Sequence, residues 1–148
     1  MRAGYDYIGV GVGAMVFNDN GEVFLSQRGP KAGNERGTWE FPGGKVDFGE
    51  RLIDAIVREF LEEYGMQIEV VELLGVDDHI LPEEGQHWVS PTYIAKYVGG
   101  TPRIMEPEKC TAIGWFSLNA LPQPLSAITQ SDVRAYQHRY GNLSPFHK

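Results

Sequence analysis

Residues 44–66, GKVDFGERLIDAIVREFLEEYGM, decide the fold because they combine helix start and stop signals with many charged groups at fixed spacing. A glycine-rich loop precedes Arg51, and neither glycine nor proline occurs from there to Tyr64. Gly65 then stands where a left-handed C-terminal cap is expected. The stretch therefore predicts a helix over residues 51–64.

Three carboxylates of this predicted helix are directed inward. At about 100° per residue, one face is apolar and consists of Leu52, Ala55, Ile56 and Phe60. Glu59 projects into this face, and Glu62 and Glu63 lie within roughly 60° on either side of it. Like charges turned inward repel one another and lose hydration, which costs several kcal/mol each unless a positive charge compensates. A hard divalent cation such as Mg²⁺ would compensate them. The alternative is a chance acidic cluster whose side chains bend out to water, and it leaves the surrounding glycines unexplained.

The same stretch resembles the Nudix box, G-x5-E-x7-R-E-U-x-E-E-x-G-U, where U is an apolar residue, and it matches at every defined position. The preceding residues 39–45, WEFPGGK, are similar to those of MutT-type nucleoside triphosphate pyrophosphohydrolases within this superfamily. The resemblance implies the Nudix fold, an α+β structure in which a mixed β-sheet lies between helices as an α/β/α sandwich. The box then forms a loop–helix–loop against the sheet.

The resemblance also implies roles for individual residues. It gives a metal site for Mg²⁺, with Mn²⁺ as a substitute, whose ligands are the carbonyl of Gly43 and the carboxylates of Glu59, Glu62 and Glu63. The catalytic set is the same three glutamates together with Arg58, and which glutamate acts as the base stays open. Arg58 orients a box carboxylate such as Glu50. The residues implied for substrate binding are Arg28, Phe41, Gly44 and Lys45, although a structural salt bridge is an equal alternative for Arg28.

The rest of the chain alternates between strand patterns and loops. Strands are predicted at residues 7–17, 22–28, 39–41, 67–76, 88–98 and 113–116, and a closing helix at 126–140. Glycines in the first strand permit close approach of another backbone or a ligand. Asn18–Gly21 is a hairpin signal. Residues 77–87 have the composition of a turn-rich loop. Strands and helices mix without regular βαβ alternation, which also indicates an α+β sandwich.

Two loops carry additional acidic candidates. Glu83 and Glu84 are minor candidates for a catalytic base. MutT-like proteins often place a glutamate just before a tryptophan as a further metal ligand, and this chain has Gly114 there. Glu106 and Glu108 are the candidates to replace it.

Composition bounds the class of protein. The 148 residues suit one domain, and 42% hydrophobic content is ordinary for a globular chain. A single cysteine fits a reducing compartment, and no stretch approaches a membrane span, so we expect a cytoplasmic protein without a membrane partner. The formal charge of −7 argues against a nucleic-acid polymer as partner. The resemblance allows a homodimer.

These observations predict Mg²⁺-dependent hydrolysis of a nucleoside diphosphate linked to another group. The favoured substrate is a (deoxy)nucleoside triphosphate, oxidised or not, which would yield the monophosphate and pyrophosphate. An alternative is an ADP-ribose or other nucleotide-sugar pyrophosphatase, because Pro82 lies sixteen residues after Met66, near where such family members often carry a proline. A non-catalytic nucleotide-sensing module is the alternative from another class, but it would be expected to lose box glutamates. We predict that Glu62→Gln and Glu63→Gln each abolish most turnover.

Overall fold

A computed structural model describes residues 1–146 as one mixed β-sheet with a helix packed on each face. This is the predicted α/β/α sandwich, so the α+β fold class is confirmed. The strands are β1 (Gly9–Phe17), β2 (Val23–Arg28), β3 (Trp39–Glu40), β4 (Gly43–Lys45), β5 (Gln67–Leu81), β6 (Gln86–Gly99) and β7 (Cys110–Phe116). The helices are α1 (Leu52–Tyr64), α2 (Ala127–Tyr140) and a short 3₁₀ helix at Pro82–Glu84.

Strand β1 is the centre of the sheet. It pairs in parallel with β6 and antiparallel with both β2 and β4, and β5 extends the sheet beyond β6. β3 and β7 both pair with β2. As a result, β4 and β6 flank the same stretch of β1, with Gly13 paired to Gly43 on one side and to Thr92 on the other.

Alternating side chains of the sheet divide the core in two. One set of β1 side chains, such as Val12 and Val16, packs with Phe60 of α1, whereas Met15 and Phe17 point to the opposite face and pack with Tyr136 of α2. Because successive strand residues face opposite layers, every second residue of β1 and β6 faces α2. This alternation determines which side chains can reach the site.

Each long helix has a capping residue, at the C-terminus of α1 and at the N-terminus of α2. Gly65 follows α1 in the left-handed conformation, with φ of 67°, and its N–H bonds the carbonyls of the last turn. The Ser126 hydroxyl caps α2 by accepting a hydrogen bond from the Thr129 N–H. Among the described residues, no helix has both the length and the hydropathy that a membrane crossing requires.

The prediction of a turn-rich loop over residues 77–87 is wrong. β5 continues to Leu81 and β6 begins at Gln86, and the pairs run without interruption from Asp77 with Ser90 to Leu81 with Gln86. The ladder overrides the turn preference of the acidic residues, because strand formation depends more on cross-strand neighbours than on intrinsic propensity. As a result, His79 has a fixed direction on a strand.

The glycines before the box also differ from the prediction. Gly43 and Gly44 lie on β4 and pair with β1, whereas the sequence suggested an open loop. A side chain on Gly43 would overlap the backbone of Val12. Strand β4 can therefore approach β1 this closely only with glycine at position 43.

Candidate active site

The site is built where α1 passes over β4. Gly44 has no room for a side chain, since a Cβ there would overlap the carboxyl group of Glu59. Glu59 is almost fully covered, with 13% of its side chain exposed. The glycine-rich strand thus brings backbone directly against a carboxylate of the helix, as the spacing of the box predicts.

Arg58 organises the acidic residues around it. Its Nε and Nη2 donate to the two carboxylate oxygens of Glu50 at 2.7 and 2.8 Å, and its Nη1 donates to Glu59 at 3.0 Å and to Glu62 at 3.2 Å. These bonds hold the pKa of Glu50 down at about 2. The bidentate pair with Glu50 agrees with the expectation that Arg58 orients a box carboxylate.

Glu59 and Glu63 form a covered pair of neighbouring carboxyl groups. Burial, followed by a hydrogen bond and charge repulsion from Glu59, raises the pKa of Glu63 to about 9. Arg58 directs its donors to Glu50, Glu59 and Glu62, and among residues 1–146 no arginine or lysine forms an ion pair with Glu63. A hard divalent cation beside this pair would supply the missing charge, and these carboxylates therefore fit the implied metal.

Glu62 is the exception to the predicted inward cluster. Its side chain is 60% exposed and reaches back to Arg58. The buried face of α1 is centred on Phe60, with Ile56 and Tyr64 one turn away on either side. Glu62 therefore points about 160° away from the centre of the core, and Glu63 only about 60° away. The prediction of three inward carboxylates is wrong for Glu62, because it took Glu59 as the centre of the inward face, and the structure has Phe60 there.

A first cavity, which we call the glutamate cavity, has a volume of about 210 Å³ and lies beside this pair. It is lined by Glu40, Glu63, Glu106, Lys109 and neighbouring residues of β2 and the 29–38 loop. Glu106 contributes to the raised pKa of Glu63, whereas Glu108 is not among the lining residues. Of the two candidates for a further ligand, Glu106 is the one beside the pair. Within residues 1–146, side chains of three or more acidic, histidine or cysteine residues do not converge tightly enough to enclose an ion.

A second cavity, which we call the glycine cavity, also has a volume of about 210 Å³ and lies on the α2 side of β1. All four residues implied for substrate binding line it, namely Arg28, Phe41, Gly44 and Lys45. Its remaining lining comes from β1, β6, α2 with its capping Ser126, the 29–38 loop, Glu40 of β3, Gly43 of β4 and His79 of β5. Arg28, Glu40 and Gly43 line both cavities, so the two spaces adjoin.

Arg28 makes the salt bridge that was the alternative to substrate contact. Its Nη1 lies 3.0 and 2.9 Å from the two carboxylate oxygens of Glu40, and its Nε donates to the Asn34 carbonyl at 2.7 Å. Burial raises the pKa of Glu40, and the Arg28 charge opposes that shift. Arg28 therefore shapes the partition between the cavities while still lining both.

Sequence reasoning assigned no role to Glu35 in the 29–38 loop. Burial pushes the pKa of this carboxyl up, but contacts with His79 and the Ala127 N–H outweigh burial and the net pKa is lowered. Its Oε1 lies 2.8 Å from His79 Nε2, although the ring N–H is not aimed along that line, and its Oε2 accepts from Ala127 at 2.8 Å. Both side chains line the glycine cavity. Sequence reasoning placed His79 in a loop, so it could not predict that this side chain lies on a strand beside the Glu35 carboxyl.

Asp132 is a second residue that sequence reasoning missed. Only 3% of it is exposed, and it accepts a hydrogen bond from the Thr92 hydroxyl at 2.9 Å. Burial raises the pKa of Asp132 to about 7, and the neighbouring carboxyl of Asp77 adds to the shift. A polar residue on the inner face of an amphipathic helix was the signal available in the sequence.

Glu83 and Glu84, the minor candidates for a base, lie on the exposed 3₁₀ helix. Neither is among the residues that line the two cavities.

Comparison with known proteins finds one matching family and solved structures with a similar fold. The family described as "NUDIX domain" matches residues 8–138 of this chain. A crystal structure of a MutT NUDIX hydrolase from Burkholderia pseudomallei superposes with a TM-score of 0.81 at 42% sequence identity, covering 88% of this chain and 98% of that one.

Two curated relatives differ in length and in name. The chain is 34% identical over 117 residues to the 8-oxo-dGDP phosphatase NUDT18 of Mus musculus, a match that covers 77% of this chain but 34% of the mouse protein. It is 27% identical to an RNA pyrophosphohydrolase of Bartonella bacilliformis, covering 90% of this chain and 91% of that protein. The chain therefore spans about a third of the length of the mouse relative.

Proposed function

The chain belongs to the NUDIX domain family, and from this premise we propose that it is a Mg²⁺-dependent hydrolase of a nucleoside diphosphate linked to another group. The favoured substrate is a (deoxy)nucleoside triphosphate, with an ordinary or an oxidised base, which is cleaved to the monophosphate and pyrophosphate. The names of the two relatives support a nucleotide substrate, since one refers to 8-oxo-dGDP and the other to RNA.

One observation carries the proposal. Glu59 lies against Gly44 of β4, and the adjacent Glu63 lines the glutamate cavity, which adjoins the glycine cavity at Gly43. Within residues 1–146, Glu59 pairs with Arg58 and Glu63 pairs with no cation, and a cavity of about 210 Å³ lies beside Glu63, so the two carboxyl groups are suited to hold a metal together with phosphates.

The proposed chemistry assigns distinct tasks to the acidic residues. Phosphoanhydride cleavage needs an attacking water and stabilisation of charge on the phosphoryl oxygens. A bound divalent metal supplies that stabilisation and lowers the pKa of a bound water. Glu59 and Glu63 hold the metal in this proposal, with Gly43 and Glu106 beside them, and Arg58 keeps Glu59 in position. Glu62, which is exposed and tethered by Arg58, is available to take the proton of the attacking water.

The direct test is a substrate panel with the purified protein and Mg²⁺. It contains the ordinary nucleoside triphosphates, 8-oxo-dGTP, 8-oxo-dGDP, ADP-ribose and an RNA with a 5′-triphosphate, and EDTA-treated protein is the control. We expect release of pyrophosphate from a triphosphate and none with EDTA. Hydrolysis of ADP-ribose alone would overturn the triphosphate assignment in favour of the nucleotide-sugar alternative. Absence of hydrolysis across the panel would favour a sensing module.

A further inference from the structure

Three glycines of β1 lie on the face of the sheet that looks toward α2, and two of them, Gly11 and Gly13, line the glycine cavity. Gly9, Gly11 and Gly13 alternate along the strand and so share the face that looks toward α2. At Gly9 the place of a Cβ is taken by the Trp88 ring. At Gly11 and Gly13 a Cβ would meet nothing nearer than 3.7 and 3.5 Å, which is ordinary contact, and neither residue has a positive φ.

The protein's own packing and backbone therefore do not demand glycine at positions 11 and 13. Side chains there would enter the glycine cavity, which both residues line. Because strand residues two apart are separated by about 7 Å, the pair leaves a flat strip of bare backbone of that length. Bare backbone lets a ligand approach the sheet more closely than any side chain would allow.

Trp88 gives the strip a fixed wall. A Cβ on either Gly4 or Gly9 would overlap its indole ring, so the ring fits closely between these glycines. Its Nε1–H donates to the buried Gln86 amide at 2.9 Å, which fixes the ring orientation. A rigid aromatic group at one end of a bare strip is a surface on which a planar ring can pack.

Buried polar groups beside the strip have hydrogen-bonding capacity to spare. Ser90 is 8% exposed and lines the cavity, and its hydroxyl makes no hydrogen bond with any residue from 1 to 146. Asp132, also in the lining, accepts from the Thr92 hydroxyl through Oδ2 and faces the Asp77 carboxyl. The Ser90 hydroxyl faces the cavity and can both donate and accept, so it is available to bond a ligand there.

The order of the strands separates two regions of the cavity. β4, with Gly43, Gly44 and Lys45, lies on one side of β1, and β6, with Ser90 and Trp88, lies on the other. Phosphates belong on the β4 side, near Lys45 and the carboxylates that would hold a metal. The β6 side offers a flat floor, an aromatic wall and neutral or acidic hydrogen-bonding groups, which suit a heterocycle with N–H donors rather than an anion.

We propose that Gly11 and Gly13 form the floor of a subsite for the heterocyclic base of the nucleotide, whose edge contacts the Ser90 hydroxyl. This inference rests on the proposed function in one respect, that the ligand is a nucleotide. It adds the residues that receive the base.

The test measures binding without hydrolysis. AMP, GMP, CMP and UMP are titrated by calorimetry in EDTA, with ribose 5-phosphate as the probe that lacks a base. The variants are Gly11→Ala, Gly13→Ala and the double variant. Gly75→Ala is the matched control, because Gly75 lies on β5 with open space around its Cβ position. Alanine at these positions should leave Tm unchanged or slightly raised, since it restricts the unfolded chain.

We expect at least one of the nucleotides to bind the wild-type protein more tightly than ribose 5-phosphate does. The double variant should weaken that binding at least tenfold, Ser90→Ala severalfold, and Gly75→Ala not at all, with ribose 5-phosphate unaffected throughout. Binding of the double variant equal to wild type overturns the subsite, and so does a wild type that prefers no nucleotide over ribose 5-phosphate. Failure of the proposed function is distinguishable, since it would leave base-dependent binding without turnover in the substrate panel.

Discussion

Glu62 and Glu63 are adjacent on α1 but lie in opposite surroundings. Glu63 is covered beside Glu59 and pairs with no arginine or lysine in the described part of the chain, whereas Glu62 is exposed and bonded to Arg58. Charge removal should therefore have different consequences for stability at the two positions, because only the covered carboxylate suffers lost hydration and repulsion. Activity alone would not separate them if one acts as a ligand and the other as a base.

We predict that Glu62→Gln and Glu63→Gln each lower kcat by roughly 10²- to 10⁴-fold, the range typical of a lost proton acceptor or charge-stabilising group. In metal-free protein near neutral pH, Glu63→Gln should raise Tm, because glutamine does not need the proton that the covered Glu63 carboxyl, with its pKa of about 9, must take up on folding. Glu62→Gln should leave Tm nearly unchanged. Turnover assays and thermal unfolding in EDTA measure the two effects. Full activity in both variants would show that the proposed metal site is wrong.

Asp132 gives a prediction about pH. Burial raises its pKa from 3.8 to about 7. Between these values the folded protein keeps a proton that the unfolded chain has released, so stability falls as pH rises through this window. Asp132→Asn is neutral at every pH and lacks this loss. We expect the unfolding free energy of Asp132→Asn to exceed that of wild type by an amount that grows by roughly 2–4 kcal/mol between pH 4 and pH 7.5.

Urea unfolding at pH 4, 5.5 and 7.5 measures this difference, and the exposed Asp54→Asn is the control for a simple change of net charge. Asp77 is a second carboxyl group that faces Asp132. The unfolding free energy of the double variant Asp77→Asn/Asp132→Asn should therefore change with pH as much as that of wild type or less. A difference that does not change with pH would contradict the assignment.

At the scale of the elements, local signals predicted most of the architecture. Helix α1 begins and ends within a residue of its signals, because a run without glycine or proline and a left-handed Gly65 depend only on nearby sequence. The 77–87 segment failed because its strand structure depends on partners in β6, which local composition does not contain. In the same way, Glu35, His79 and Asp132 come from three separate elements, and only the fold brings them to one cavity.

One buried side chain, Gln86, makes several of the hydrogen bonds that hold the 29–38 loop. Gln86 is 5% exposed, donates to the Gly33 carbonyl at 3.1 Å and accepts from the Asn34 amide at 3.0 Å. Its Oε1 also accepts from the Trp88 indole at 2.9 Å. Residue 86 therefore joins the loop to β6 and to the wall of the glycine cavity.

We predict that Gln86→Leu destabilises the protein by about 1–3 kcal/mol, since it leaves buried donors and an acceptor without partners. The amides of residues 33–37 should exchange with deuterium faster, and KM should rise more than kcat falls because the cavity wall loosens. Gln137→Leu, on the exposed face of α2, is the matched control. Unchanged exchange in the 29–38 loop would show that other contacts are sufficient to hold it.

For the whole molecule, the carboxylate pair links metal binding to stability. A cation that binds the folded chain and not the unfolded one adds RT ln(1 + [L]/Kd), or about 2.7 kcal/mol at a concentration of 100 Kd. In a domain of this size, 1 kcal/mol shifts Tm by about 2–4 °C. We therefore predict that saturating Mg²⁺ or Mn²⁺ raises Tm by about 5–10 °C over protein in EDTA, without any nucleotide present.

The variants locate the source of this effect. Glu63→Gln should begin from a higher Tm in EDTA, because it needs no proton uptake on folding, and it should lose most of the metal-dependent increase, because it lacks a proposed ligand. Asp54→Gln, an exposed change on the same helix, should keep the full increase. Ca²⁺ at equal ionic strength tests whether any divalent cation is sufficient. An increase that survives in Glu63→Gln would place the cation elsewhere on this acidic chain, and an increase confined to variants with the intact pair would tie stability to the same two carboxylates that the chemistry requires.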